Sequence, residues 1–131
     1  MLIRTEFGKT IAGYSHYKWN HVESGMDVCD SAKKSFLLQV DLHEKYVPVD
    51  STSLICCNDT CGPIFGKGSR DIYIPDSCNY TLSHGKFPSG YNKEGPEKYV
   101  KDQESYTAFT GATNGFKFRP VDYEVFRVIY G

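Results

Sequence analysis

The sequence predicts a mainly-β domain, with α-structure only at its margins. Three observations carry that expectation. Aromatic residues reach 15 %, with ten Tyr and eight Phe, and flat rings suit the half-buried pleat of a sheet. Twelve glycines fit a chain with many turns. Short runs that alternate with period two recur along the chain and are clearest near its C-terminus.

The elements follow in order. Residues 2–7 and 9–14 read as two strands around a turn at Gly8, with Leu2, Ile3, Phe7, Ile11 and Ala12 as their apolar content. Gly13 then marks a place where backbones approach closely. Ser15 to Lys34 is polar apart from Tyr17, Trp19, Val22 and Met26. It reads as a long loop over a sheet edge, with Trp19 plugging the core. Ser35–Val40 holds Phe36, Leu37, Leu38 and Val40 and reads as a strand buried on both sides. Leu54–Cys57 and Asp71–Ile74 are short strands, the latter with Ile72 and Ile74 on one face.

From Pro75 to Gly111 the periodicity lapses among Pro75, Gly85, Pro88, Gly90, Gly95 and Pro96. One long loop is expected there, wrapped over the core or binding a partner. A short helical turn follows Gly95, with Pro96 at its first position. Gly115–Pro120 places Phe116 and Phe118 on one face and Lys117 and Arg119 on the other. Val121–Tyr130 is apolar on both faces, which reads as the central strand of a sandwich. Glu124 lies beside Phe126 there, and a carboxylate in such a position needs a partner.

Composition excludes several classes. The 131 residues fit one domain, residues 1–131, and 24 % charged with 40 % apolar residues is an ordinary globular balance. Fifteen basic and sixteen acidic residues leave a net charge of −1, without the basic surplus usual for duplex binders. Residues 1–20 hold Arg4, Glu6, Lys9 and Lys18 and no apolar run of membrane length. Five cysteines form no secreted disulfide pattern. A cytoplasmic or nuclear setting is therefore expected, with the sequons at Asn58 and Asn79 silent.

The constellations that carry chemistry are sparse. Cys56, Cys57, Cys61 and Cys78 could supply four thiolates to zinc, but Cys56 and Cys57 alternate across a strand and would not share a metal. A redox-responsive thiol pair among these four remains an open reading. So does a set of ordinary reduced cysteines. His16 and His21 match no metal spacing, and Asp71 with Glu124 is an unsupported carboxylate pair. No nucleophile elbow is present. Gly62-Pro63-Ile64-Phe65-Gly66-Lys67-Gly68-Ser69-Arg70-Asp71 is the most distinctive segment. It lacks the helix a phosphate-binding loop enters and reads as a tight glycine turn between strands.

At Phe65-Gly66-Lys67-Gly68, followed by Asp71-Ile72-Tyr73-Ile74, the chain resembles a TLDc domain, the module of the oxidation-resistance proteins. Ile11-Ala12-Gly13-Tyr14 with Trp19, and Ser35-Phe36-Leu37-Leu38, are similar to earlier elements of that family. Tyr106-Thr107-Ala108-Phe109-Thr110-Gly111 and Tyr123-Glu124-Val125-Phe126-Arg127-Val128 are similar to its closing elements. Lys67 stands where the family has a further glycine. Helices and strands precede the matched region in the family, and the loop after Cys78 is closer to its protist-type variants, so the chain is expected to be an abridged, protist-type member.

The resemblance implies a two-sheet antiparallel β-sandwich with short peripheral helices. It also implies a protein-interaction module of the oxidative-stress response, non-enzymatic and without cofactor or metal. In some family members the partner is the cytosolic sector of the vacuolar proton pump. Gly13, Trp19, Phe65, Gly66, Gly68, Asp71 and Glu124 are the motif positions, with Glu124 the expected functional contact. Two alternatives come from the residues themselves. One is a nucleic-acid-binding regulator using Lys67, Arg70, Lys117 and Arg119. The other is a thiol redox sensor or peroxide scavenger. An uncovered edge near Leu2–Phe7 further predicts a homodimer, unless the Pro75–Gly111 loop closes that edge.

Overall fold

The computed structural model describes residues 1–17, 26–51, 54–57, 61–66, 68–76, 78 and 81–129, with backbone alone at 26–28, 54, 56–57 and 61–63. The first sheet begins with β1 (Leu2–Thr5) and β2 (Thr10–Tyr14), which turn through Gly8 at φ 78°. A left-handed backbone there favours glycine. It continues with β4 (Phe36–Gln39) and β5 (Glu44–Pro48). The second sheet holds β3 (Met26–Cys29), β6 (Leu54–Cys57), β7 (Cys61–Phe65), β8 (Ile72–Pro75) and β9 (Ser83–His84). β10 (Tyr91–Asn92) returns to the first sheet, α1 spans Gln103–Thr110, β11 (Lys117–Phe118) joins the second sheet, and β12 (Pro120–Glu124) ends on the first.

Among the described residues these strands form two six-stranded antiparallel sheets, ordered β10-β5-β4-β2-β1-β12 and β11-β9-β8-β7-β6-β3. The fold is mainly β, as expected. Ile3, Ile11, Leu37 and Tyr46 from the first sheet meet Ile55, Phe65, Ile72, Ile74 and Phe118 from the second in one buried cluster. Period-two alternation puts these residues on the inner faces. Gly13 shows how closely the sheets approach. A Cβ there would lie 2.5 Å from Cε2 and Cζ of Phe65.

α1 covers one end of the sandwich. The Asp102 side chain accepts the Ser105 N–H at 2.9 Å and caps its start. Gly111, at φ 85°, closes its end through an N–H to the Thr107 carbonyl. The last carbonyls of a helix lack intrahelical donors. Here Thr5 Oγ1 donates to the Thr110 carbonyl at 2.8 Å and Gln39 Nε2 to the Phe109 carbonyl at 3.2 Å. That is why two polar residues lie buried in the first sheet. Phe109 joins the rings of Tyr46 and Phe87, whose centroids lie 5.8 and 4.7 Å from its own.

Several expectations are corrected. The polar stretch 15–34 contains β3, because a strand on the edge of the second sheet needs no apolar run to be paired on one side. The structure adds β5 after the Val40–His43 turn. The expected tight turn at 62–71 begins as strand β7, and only 66–71 turns. Pro75–Gly111 is not one loop, since β9, β10 and α1 lie within it. The helix starts at Gln103, where Asp102 caps it, and not after Pro96. One short helix stands among the described residues where several were expected. Val121–Tyr130 is not a central strand. Among the described residues β12 pairs only with β1, and residues 121–129 are exposed throughout. β1 is paired on both sides, so Leu2–Phe7 leaves no open edge.

Candidate functional site

The glycine segment and the loop before β10 form one buried junction. β7 ends at Phe65, and Gly66 follows it with a φ of 96°. A Cβ there would sit 2.0 Å from Asp71 Oδ2, so only glycine fits for both reasons. The chain closes on itself through the Asp71 N–H to the Phe65 carbonyl at 2.9 Å. Asp71 then points its carboxylate at the second loop. Oδ1 accepts the Ser89 N–H and Oδ2 the Gly90 N–H, both at 2.7 Å. Burial pushes the Asp71 carboxyl up to about 7, against the lowering by the amides of Ser89, Gly90 and Tyr91. Arg70, at φ 68°, is held in a left-handed conformation by two bonds. Its Nη1 donates to the Gly66 carbonyl at 2.9 Å and its own carbonyl accepts the Lys86 N–H at 3.0 Å. Such a conformation costs a side-chain-bearing residue about 1–3 kcal/mol, which the closed junction offsets.

The structure therefore brings Gly13, Phe65, Gly66 and Asp71 together in a line through the sandwich. Phe65 is fully buried, facing Gly13 on one side and the Tyr91 ring edge-on at 6.3 Å on the other. Gly68 follows in the turn at φ 61° with open space where a Cβ would be. Glu124 stands elsewhere, exposed at the end of β12 opposite Leu2. It lies on a solvent-facing strand and needs no buried partner, and it forms no pair with Asp71. Trp19, Lys67, His21, Asn58 and Asn79 lie outside the described residues, as do the side chains of Cys56, Cys57 and Cys61. Cys78 is 7 % exposed within the core cluster, a poor position for meeting a soluble oxidant. Cys29 is free and exposed.

Other polar contacts have simpler chemistry. Lys101 Nζ donates to Ser69 Oγ at 2.6 Å, and Ser69 lies 3.0 Å from Ser89 Oγ. Lys101 is exposed. Glu44 Oε2 accepts hydrogen bonds from Tyr46 at 2.7 Å and Tyr99 at 2.8 Å, while Oε1 meets Lys93 Nζ at 2.6 Å. Burial pushes Glu44 up, but the bonds from Lys93, Tyr46 and Tyr99 outweigh it and hold the carboxyl below its usual value. This cluster fastens the segment before α1 to the edge of the first sheet. Among the described residues no three His, Cys, Asp or Glu side chains converge as a metal set.

Two surface features remain. His84, half-buried, stacks on Tyr73 with centroids 4.6 Å apart and a 9° interplanar angle. Burial lowers its pKa, and Lys86, Lys117 and Arg70 lower it further. The sequence offered little for this histidine, because a two-residue strand carries no periodicity. Arg119 does not share that neighbourhood, and its backbone N–H donates to Glu6 Oε1 at 3.0 Å. The other feature is the free side of β12. Val121, Val125, Phe126, Val128 and Ile129 are each between 52 and 82 % exposed. A groove of about 590 Å³ runs between residues 125–128 and Met1, Gly13, Tyr14, Ser15, His16 and Tyr17. Among the described residues no helix is long and apolar enough to cross a membrane. No family model matches this chain, and neither a curated protein nor a solved structure does.

Proposed function

We propose that this chain is a protein-interaction module that engages its partner through β12 and the residues that follow it. The observation that carries the reading is that, among the described residues, β12 has a strand neighbour on one side only and is continued by exposed apolar residues up to Ile129. An edge strand presents unpaired N–H and C=O groups to any extended segment laid beside it. A cluster of exposed apolar side chains marks a contact surface more often than a bare one. Strand addition supplies main-chain hydrogen bonds, and the groove beside residues 125–128 supplies the pocket that selects side chains. The TLDc-like motifs add a setting in oxidative stress and make the cytosolic sector of a vacuolar proton pump the first partner to try.

The test is co-purification from peroxide-treated cells, with the natural chain beside V121K/V125K, both on exposed positions. Edge lysines block strand addition and change stability by less than about 0.5 kcal/mol at such sites. The natural chain is expected to recover a reproducible partner that the variant loses. Recovery of none, or equal recovery by the variant, refutes the reading. A second copy of the chain is the other candidate occupant, favoured by the same edge. Light scattering that gives a constant 14.8 kDa across concentrations removes it.

A further inference from the structure

The outer face of the second sheet carries a cluster that neither the junction nor the β12 edge uses. Tyr73 on β8 is the register partner of His84 on β9, and His84 is the partner of Lys117 on β11. Register partners lie on one face. Ile72, Ile74, Ser83 and Phe118 are buried on the inner face, so this row faces outward. Adjacent strands are about 4.8 Å apart, and the row therefore spans roughly 10 Å. The rings of Tyr73 and His84 lie nearly parallel. Phe116 meets His84 edge-on with centroids 5.8 Å apart, and Lys86 Nζ lies 4.1 Å from the Phe116 centroid. All three rings are half-buried and keep part of their surface open to solvent. Burial is the main cause of the lowered His84 pKa, and the positive charge of Lys86, Lys117 and Arg70 around the ring lowers it further.

We propose that this face binds single-stranded nucleic acid, with bases stacked on the rings of Tyr73, His84 and Phe116 and phosphates held by Lys86 and Lys117. Cations interleaved with aromatic rings on a sheet match the two chemistries of a nucleotide chain, and stacking tolerates any base. A duplex hides its base faces and would use only the cations. An acidic peptide would likewise leave the rings unused. The net charge of −1 does not oppose this, because phosphate contacts act within about 8 Å in physiological salt.

The experiment is fluorescence anisotropy of the full chain with labelled oligouridylate and oligothymidylate of about twelve nucleotides. A duplex of equal length and a poly-glutamate peptide are run in parallel. Saturable binding of the single strands is expected at roughly 1–100 µM, tighter than for the duplex or the peptide. The affinity should fall with salt at a log–log slope of about −1.4, at ~0.7 per phosphate for two contacts. K86E/K117E should weaken binding at least about tenfold and flatten that slope. H84A should weaken it about fivefold or more with the slope unchanged. Preference between the two oligomers assigns RNA or DNA, and either supports the proposal. No saturable single-strand binding, equal binding of duplex or poly-glutamate, or full binding by either variant overturns it. Circular dichroism melting confirms that each variant is folded. None of these substitutions touches β12, so this result and the partner test fail independently.

Discussion

Replacing Asp71 by Asn tests the junction that holds β7, β8 and the loop before β10 together. The carboxylate is fully buried, and each of its oxygens accepts one backbone N–H at 2.7 Å. Asparagine keeps the shape but offers one oxygen. An NH₂ then faces either the Ser89 or the Gly90 N–H, and one buried donor loses its acceptor. An unsatisfied buried group of this kind costs about 1–3 kcal/mol. In a domain of this size that lowers the melting temperature by roughly 3–12 °C. The effect should depend on pH in a defined direction. Burial raises the folded-state pKa of Asp71 from 3.8 to about 7. A raised carboxyl contributes stability that is fully present below its unfolded value and is lost as pH rises through the folded one. The natural chain should therefore gain over D71N between pH 8 and pH 5, by on the order of 2 kcal/mol. His84 acts with the opposite sign, since burial and the nearby cations depress its pKa and stability is lost as pH falls. Both proteins carry His84, so the difference between them cancels it. Urea denaturation of each at pH 5, 6, 7 and 8 measures the effect. A D71N protein as stable as the natural chain at every pH, or a difference that does not grow toward pH 5, would refute the reasoning.

Two further predictions follow from the packing. G13A should lose about 1–3 kcal/mol, because the new methyl would meet the Phe65 ring at 2.5 Å and Phe65 is fully buried. In G13A/F65L the smaller side chain leaves room for that methyl. A double-mutant cycle by urea denaturation should give a favourable coupling of at least about 0.5 kcal/mol, and strictly additive losses would show that the two positions do not meet. D102A should cost about 1 kcal/mol through loss of the α1 cap, read as a lower melting temperature. An unchanged melting temperature would mean that the bond to Ser105 contributes nothing to stability.

Much of the architecture is legible in the local pattern of residues. The β class follows from aromatic content, glycine and alternation. β1 and β2 around Gly8, the strand at Phe36–Gln39, and the short strands at Leu54–Cys57 and Ile72–Pro75 all follow from apolar runs or alternation within a few residues, although Ser35–Val40 is not buried on both sides, since β4 alternates and Val40 is exposed. Gly13 and Gly66 mark close approaches in the sequence, though not what approaches them. β3, β9 and β10 were not legible, because they are too short or too polar to alternate visibly. α1 was not legible either. Ser105, Phe109 and Thr110 are its buried residues, a weak stripe, and its end is satisfied by Thr5 and Gln39 from distant parts of the chain.

By itself the sequence determined the β class, several of the extended segments and the turn at Gly8, since these depend on neighbours only a few residues away. Tertiary structure alone decided the rest. The apolar residues from Val121 onward look the same in sequence whether their strand lies at the centre of a sheet or at its edge. Only the pairing of β12 with β1, and with no other strand among those described, leaves them in water. Asp71 likewise reads as an ordinary turn carboxylate until the amides eighteen and nineteen residues later arrive to meet it. His84 gains its cationic surroundings only because β8, β9 and β11 lie side by side. Edges, buried carboxylates and charge clusters are set by which distant segments become neighbours, and alternation along one segment carries no record of its partner.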